Sequence, residues 1–213
     1  MADLYFFPMA CSLASRIAAL EAGIELNYHR VELFGDKSLV GEAGSLSAIS
    51  ALGKVPVLVL DDGGILTENA AVLQVIADLN PGSGLAPSAL DPARYELQQW
   101  LSFVATELHK GFLFPTFAKG TPDTVKAWVR EQLVLPLSFA ASRLDKTGDY
   151  LICNRFTVAD AYLIWALLLI QAAGVELGSW PALTAYCERV VARPCVGAAI
   201  ALERDMYRAG KAS

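Results

Sequence analysis

Leu4-Tyr5-Phe6-Phe7-Pro8-Met9-Ala10-Cys11-Ser12-Leu13-Ala14-Ser15-Arg16-Ile17-Ala18-Ala19-Leu20-Glu21-Ala22-Gly23 is the stretch on which the fold turns. Leu4–Phe7 predicts a strand ended by Pro8, and Ser12–Ala22 predicts a helix stopped by Gly23. Leu26–Leu33 alternates and predicts a second strand, so the three elements form a βαβ unit with a parallel pair. A passage rich in Gly and Ser from Gly35 to Gly53 follows. Val55–Leu60 and Ile65–Leu66 then flank Asp61-Asp62-Gly63-Gly64, a strong hairpin signal, which makes the sheet mixed. Asn69–Leu79 predicts a helix that Asn80-Pro81-Gly82-Ser83-Gly84 breaks.

Past this break the periodicity changes. Patterns of 3.6 residues run through Ala93–Lys110, Thr121–Lys146, Val158–Ala173 and Pro181–Ala192, with no strand signal among them. The order βαβ, hairpin, helix is that of a thioredoxin-like domain with a mixed four-stranded sheet. The expected organisation is therefore an α/β thioredoxin-like domain over residues 1–81, a linker over 82–92 and an all-α domain over 93–213.

Composition narrows the function. The 213 residues carry 17 Lys and Arg against 22 Asp and Glu, a net charge of -5, which argues against nucleic acid as a partner. Residues 1–14 are apolar, but Asp3 stands where a signal peptide needs a cation, so they read as folded protein. The apolar run from Ala161 to Ile170 extends only to Val175, short of the roughly 20 residues that span a bilayer, and reads as a buried helix. No membrane is expected. Cys11, Cys153, Cys187 and Cys195 form no Cys-x-x-Cys pair and no zinc-like spacing with His29 or His109, so reduced cytoplasmic thiols and no metal are expected.

Cys11 lies between a strand and a helix start, where free backbone N–H groups and the helix dipole favour a thiolate. A packed thiol fits the local sequence equally well. Ala14 stands where a resolving cysteine would sit, which excludes an intramolecular dithiol cycle. In Val55-Pro56 the proline withholds an N–H from a strand that ought to pair. From the dipeptide alone a trans proline at an edge is favoured; a cis bond would instead present the backbone of Val55 to an extended peptide. Thr67-Glu68-Asn69 stands at a helix start, where N–H groups suit a carboxylate and Glu68 suits an ammonium, capping alone being the commoner use. His109 and Lys110 sit together after Trp100 and Phe103. They suit stabilisation of a thiolate, although helix-end packing explains such a pair as well. Phe112, Phe114, Phe117 and Trp165 offer apolar surface for a pocket or a core. Thr157-Val158-Ala159-Asp160 reads as a capping box.

The order of these blocks resembles the glutathione transferases of the bacterial beta class over nearly the whole chain. It is carried by residues 8–15 (Pro8 to Ser15), Gly53-Lys54-Val55-Pro56, Leu66-Thr67-Glu68-Asn69, Ala105 to Phe112 and Phe156 to Tyr162. Cys11 with the His109-Lys110 pair singles out the class. The resemblance implies that glutathione, a co-substrate rather than a cofactor, pairs with Val55 before a cis Pro56. Its γ-glutamyl end would lie at Glu68 and Asn69, with Lys54, Lys37 and Ser102 completing its site. Cys11 would face the glutathione sulfur, with His109 and Lys110 assisting, and Phe6, Phe112, Trp165 and Leu169 would wall the pocket for a small hydrophobic electrophile. The implied activity is conjugation by a cytoplasmic homodimer, with thiol transfer or peroxidase chemistry through Cys11 as a variant. A non-catalytic binding protein of the same fold is the alternative. Phe6 stands where many members carry a tyrosine, Lys54 where glutamine is common, and Trp165 one helical turn before the class tryptophan position near Leu169.

Overall fold

The computed structural model describes residues 1–34, 37–40 and 44–212, and the side chains at 33, 34, 37, 38, 211 and 212 lie outside that description. The chain divides into two compact units, Met1–Leu85 with Pro194–Ser213, and Ala86–Arg193.

In the first unit, β1 (Asp3–Phe6), α1 (Ser12–Ala22) and β2 (Asn27–Arg30) form the βαβ unit, with Leu4 opposite Tyr28 in a parallel pair. α1 ends where Gly23 takes φ 65°, a left-handed turn that a residue without Cβ adopts freely. The predicted second strand is interrupted at Val31, whose N–H donates to the Phe6 carbonyl at 2.8 Å. The chain then continues as a separate hairpin, β3 (Glu32–Phe34) with β4 (Lys37–Leu39), which the Gly-rich composition concealed. β5 (Val57–Val59) runs antiparallel to β1 and is followed by β6 (Ile65–Leu66) across the Asp61–Gly64 turn, giving the sheet order β2-β1-β5-β6. α2 (Asn69–Leu79) packs on α1. Between them the fully buried side chains Leu4, Leu13, Ile17, Leu58, Leu73 and Ile76 build the core. Each contributes about 1.5–3 kcal/mol through burial.

The second unit is helical: α3 (Ala93–Phe103), a π-helical segment (Val104–Leu113), α4 (Phe114–Phe117), α5 (Asp123–Gln132), α6 (Val134–Thr147), α7 (Val158–Ala172) and α8 (Pro181–Val191). The single helix expected over Thr121–Lys146 is two, parting at Leu133. Pro136 explains the break: it lacks an N–H and crowds the carbonyl four residues back, so it is tolerated only in the first turn of a new helix.

α9 (Pro194–Ala212), which the sequence patterns do not separate from the helical half, packs against α1 in the first unit. Its Glu203 is 0% exposed and pairs with the buried Arg16 of α1, Oε1 to Nε, at 2.7 Å. An ion pair without water costs several kcal/mol per charge unless the partners meet closely, so burying Glu203 specifies where α9 sits.

α7 is buried on nearly every side, and its start is tied down by Asp160. This carboxylate accepts from the N–H groups of Thr157 (2.9 Å) and Leu151 (3.0 Å), from the Thr157 hydroxyl (2.8 Å) and from the Tyr186 hydroxyl (3.1 Å). Burial outweighs these donors and pushes the Asp160 carboxyl up to about 6. Asp160→Ala strands several buried donors, each costing about 1–3 kcal/mol, so urea unfolding is expected to show a loss of about 3 kcal/mol or more. A carboxyl raised above its unfolded value of 3.8 holds its proton more tightly in the native state. Its stabilisation is full below that value and is lost as pH rises through 6. The mutational loss is therefore expected to be larger at acid than at neutral pH, by about 3 kcal/mol.

Candidate active site

In the first unit the candidate residues begin at the β1–α1 junction. Pro8 ends the strand, and Met9 takes φ 65°, a left-handed conformation unfavourable for a residue with a Cβ. The Met9 N–H is held there by Glu203 Oε2 at 2.8 Å. Ser12 Oγ accepts from the Phe7 N–H and donates to the Phe7 carbonyl, both at 3.3 Å, which closes the turn. Cys11 follows as the residue that enters α1, already helical, with its carbonyl accepting from the Ala14 N–H.

The fold brings Cys11 to Val55, 44 residues away in sequence: its Sγ donates to the Val55 carbonyl at 3.3 Å. The Val55–Pro56 bond is cis, as the resemblance implies and against the expectation from the dipeptide. This hydrogen bond belongs to the thiol. A thiolate at Cys11 has no proton to give, so ionisation and the Val55 acceptor are coupled.

At the start of α2, Glu68 rather than Asn69 occupies the cap position, with φ 63° and no capping bond from its side chain. A glutamate in that conformation is a local strain of about 1–3 kcal/mol of the kind that collects at functional sites. Asn69, 4% exposed, accepts from Ser15 Oγ at 2.9 Å through Oδ1, whereas its Nδ2 is buried without a hydrogen-bond partner. An orphaned amide donor is costly unless something fills it. Of the other residues named for this side of the site, Lys54 is exposed, and Lys37 lies in β4 by its backbone, its side chain being outside the described residues.

The second unit carries His109 and Lys110 on the π-helical segment. A Cβ at Gly111 would lie 2.9 Å from the Thr106 carbonyl oxygen, five residues back, so only glycine fits this wide turn. The His109 ring is clasped on α7: Nδ1 and the Tyr162 hydroxyl are 2.7 Å apart, and the Trp165 ring meets it edge-on at 4.7 Å. Lys110 is exposed, with Nζ 5.4 Å from the centre of the Phe114 ring. Ser102 is exposed on α3.

Three of the four expected pocket walls are core residues. Phe6, Phe112 and Trp165 are buried, and only Leu169 is partly open. Phe6 lies under the Arg16 guanidinium at 4.5 Å, with Tyr28 also beneath that group at 3.8 Å, so the ring supports the Arg16–Glu203 pair. Sequence reasoning missed Glu203, Ser15 and Tyr162. Tyr162 left one signal: among the apolar side chains that dominate Val158–Ala172 its hydroxyl requires a partner. Among the described residues none of the four cysteines forms a disulfide, and burial pushes the Cys187 thiol up to about 12, leaving it inert. No group of three or more His, Cys, Asp or Glu among the described residues is placed to hold a metal. Among the described residues no helix is long and apolar enough to cross a membrane.

Comparison with known proteins accounts for both units. Residues 8–79 match the model of the glutathione S-transferase N-terminal domain, and residues 95–194 match that of the C-terminal domain. The chain is 37% identical over 201 residues to glutathione S-transferase GstA of Escherichia coli O157:H7, covering 94% of this chain and 98% of the relative. A ternary complex of BphK, a bacterial GST, superposes with a TM-score of 0.88 at 39% identity, and the beta class glutathione S-transferase of Sphingomonas chungbukensis with 0.85 at 38%. Each comparison covers 94% of this chain and 98% of the other. A sphingomonad glutathione S-transferase complexed with glutathione has a TM-score of 0.86 at 41% identity, with the same coverage.

Two substitutions test the supports of this geometry. Glu203→Ala leaves Arg16 buried without its counter-charge and releases the Met9 N–H; denaturant unfolding is expected to show a loss of about 3–5 kcal/mol. Gly111→Ala forces its methyl against the Thr106 carbonyl, and a thermal melt is expected to reveal a loss of about 1–3 kcal/mol.

Proposed function

Because this chain belongs to the glutathione S-transferase family, we propose that Cys11 is the residue through which it acts on the sulfur of bound glutathione. The chain is a glutathione-conjugating enzyme. Its glutathione lies along the first unit. The cysteinyl backbone pairs with Val55 ahead of Pro56, the γ-glutamyl end takes Glu68 and Asn69, and Lys54, Lys37 and Ser102 assist at the periphery. His109 and Lys110 supply a hydrogen-bonding group and a positive charge. The second substrate is a small hydrophobic electrophile, taken up near Leu169. No cofactor enters the reaction.

The observation that carries this reading is the 3.3 Å contact of Cys11 Sγ with the Val55 carbonyl. A reactive-type thiol at a helix start and the backbone acceptor of an extended peptide are thereby joined in one place. The unpartnered Nδ2 of Asn69 supports the γ-glutamyl end, since a ligand carboxylate would satisfy it. In conjugation the glutathione thiol loses its proton, and the thiolate attacks an electrophilic carbon and displaces a leaving group such as chloride. Donors and positive charge lower the cost of that thiolate. In thiol transfer the Cys11 thiolate instead attacks the mixed disulfide of glutathione with a substrate thiol and releases that thiol; a second glutathione thiolate then attacks the Cys11–glutathione disulfide, giving the disulfide of glutathione and restoring Cys11.

The protein acts in the cytoplasm as a homodimer. Support for a partner surface comes from the aromatic cluster of Trp100, Phe103 and Phe139, with ring centres 5.1–5.3 Å apart, which is exposed at Phe139.

Retention on immobilised glutathione and turnover of a chlorinated nitroaromatic, compared among wild type, Cys11→Ala and His109→Ala, test the assignment. Wild type is expected to bind and turn over, and His109→Ala to lose about tenfold or more in kcat/KM. Cys11→Ala that keeps conjugation and loses disulfide exchange assigns the thiol to redox work. Cys11→Ala with both activities intact removes it from the mechanism.

A further inference from the structure

The imidazole of His109 has two nitrogens, and which of them carries the proton decides what it can do to a sulfur. With Nε2 protonated it is a hydrogen-bond donor that stabilises a thiolate; with Nε2 bare it is a base that removes the thiol proton. The hydrogen bond at the other nitrogen sets that choice.

We infer that Tyr162 is a positioning residue that holds His109 in the tautomer protonated on Nε2, making this imidazole a donor to the sulfur anion and not the base. The inference rests on the proposed action of His109 in the reaction. Tyr162 Oη and His109 Nδ1 are 2.7 Å apart, the length of a strong O–H···N bond. A phenol O–H is the better donor and a neutral imidazole nitrogen the better acceptor, so the proton of this bond comes from Tyr162 and the ring proton resides on Nε2.

The surroundings fix the ring itself. Tyr162 is 1% exposed on α7, the helix anchored at Asp160, and its ring stacks on Trp165 one turn later, 5.6 Å away with 30° between planes. Trp165 in turn meets His109 edge-on at 74°. Turning the imidazole over would replace Nδ1 by a carbon and break the 2.7 Å bond to the phenol. A phenylalanine would pack as well at position 162, so the hydroxyl is explained by the bond it makes to His109.

The chain contains two histidines, His29 and His109, so long-range proton–nitrogen NMR of the labelled protein shows two imidazoles, which His29→Gln assigns. In wild type at neutral pH, His109 is expected to show a protonated Nε2 and an unprotonated Nδ1. In Tyr162→Phe this preference is lost, kcat falls about tenfold and KM for glutathione stays within about twofold. In a His109→Ala background, Tyr162→Phe adds less than about twofold, because both changes remove the same function. Protonated Nδ1 in wild type, or a nitrogen spectrum unchanged by Tyr162→Phe, overturns the inference whatever the kinetics. His109→Ala with wild-type turnover refutes instead the proposed role of His109, and the spectrum still decides whether Tyr162 holds the ring.

Discussion

Glu203 has no exposed surface and uses both carboxylate oxygens, one on Arg16 and one on the Met9 N–H. Burial pushes its carboxyl up, and Arg16 opposes that. A buried charge pair contributes little net stability compared with apolar packing, but it tolerates few arrangements, because each misplacement strands a charge. Here the constraint docks α9 on α1 and gives Met9 a partner in a conformation it would not adopt alone. The turn that delivers Cys11 to the start of α1 follows from it. Phe6 and Tyr28 under the guanidinium complete the support.

Unusual backbone occurs at residues named for the chemistry, and also in the loop before α7 at Cys153 and Asn154. Met9 and Glu68 have positive φ, and His109 and Lys110 ride a π-helical segment that requires Gly111. Such conformations persist only where surrounding contacts over-determine them. For Met9 the contact is Glu203, and for His109 it is Tyr162. The side chains joined in these contacts come from elements far apart in sequence, so each local strain is stabilised by the completed fold.

The elements that were legible in the sequence owe that to short-range signals. Asn69–Leu79 and Ser12–Ala22 have the bounds their periodicity and stop residues predict, and the Asp61–Gly64 turn pairs β5 with β6. Where a second signal competed, the reading failed: Pro136 divided one expected helix into two, and a Gly-rich passage hid β4. Cys11, Val55, Glu68 and Asn69 were singled out because each stands at an element's edge. The four expected pocket walls differ in exposure, Phe6, Phe112 and Trp165 being buried and Leu169 partly open, because aromatic residues at helical spacing look alike whether they face a ligand or a core.

The sequence by itself determined the order of elements, the change from mixed sheet to helices, the placement of a thiol at the first strand-to-helix junction and the family. These depend on neighbours a few residues apart, which propensity, capping and turn chemistry govern. The tertiary structure decided the cis state of Pro56, the meeting of Cys11 with Val55, the docking of α9 through Glu203 and the clasp of Tyr162 on His109. The last three are contacts across 44 or more residues, and such contacts carry no local pattern because packing and buried hydrogen bonds select them only once the chain has closed.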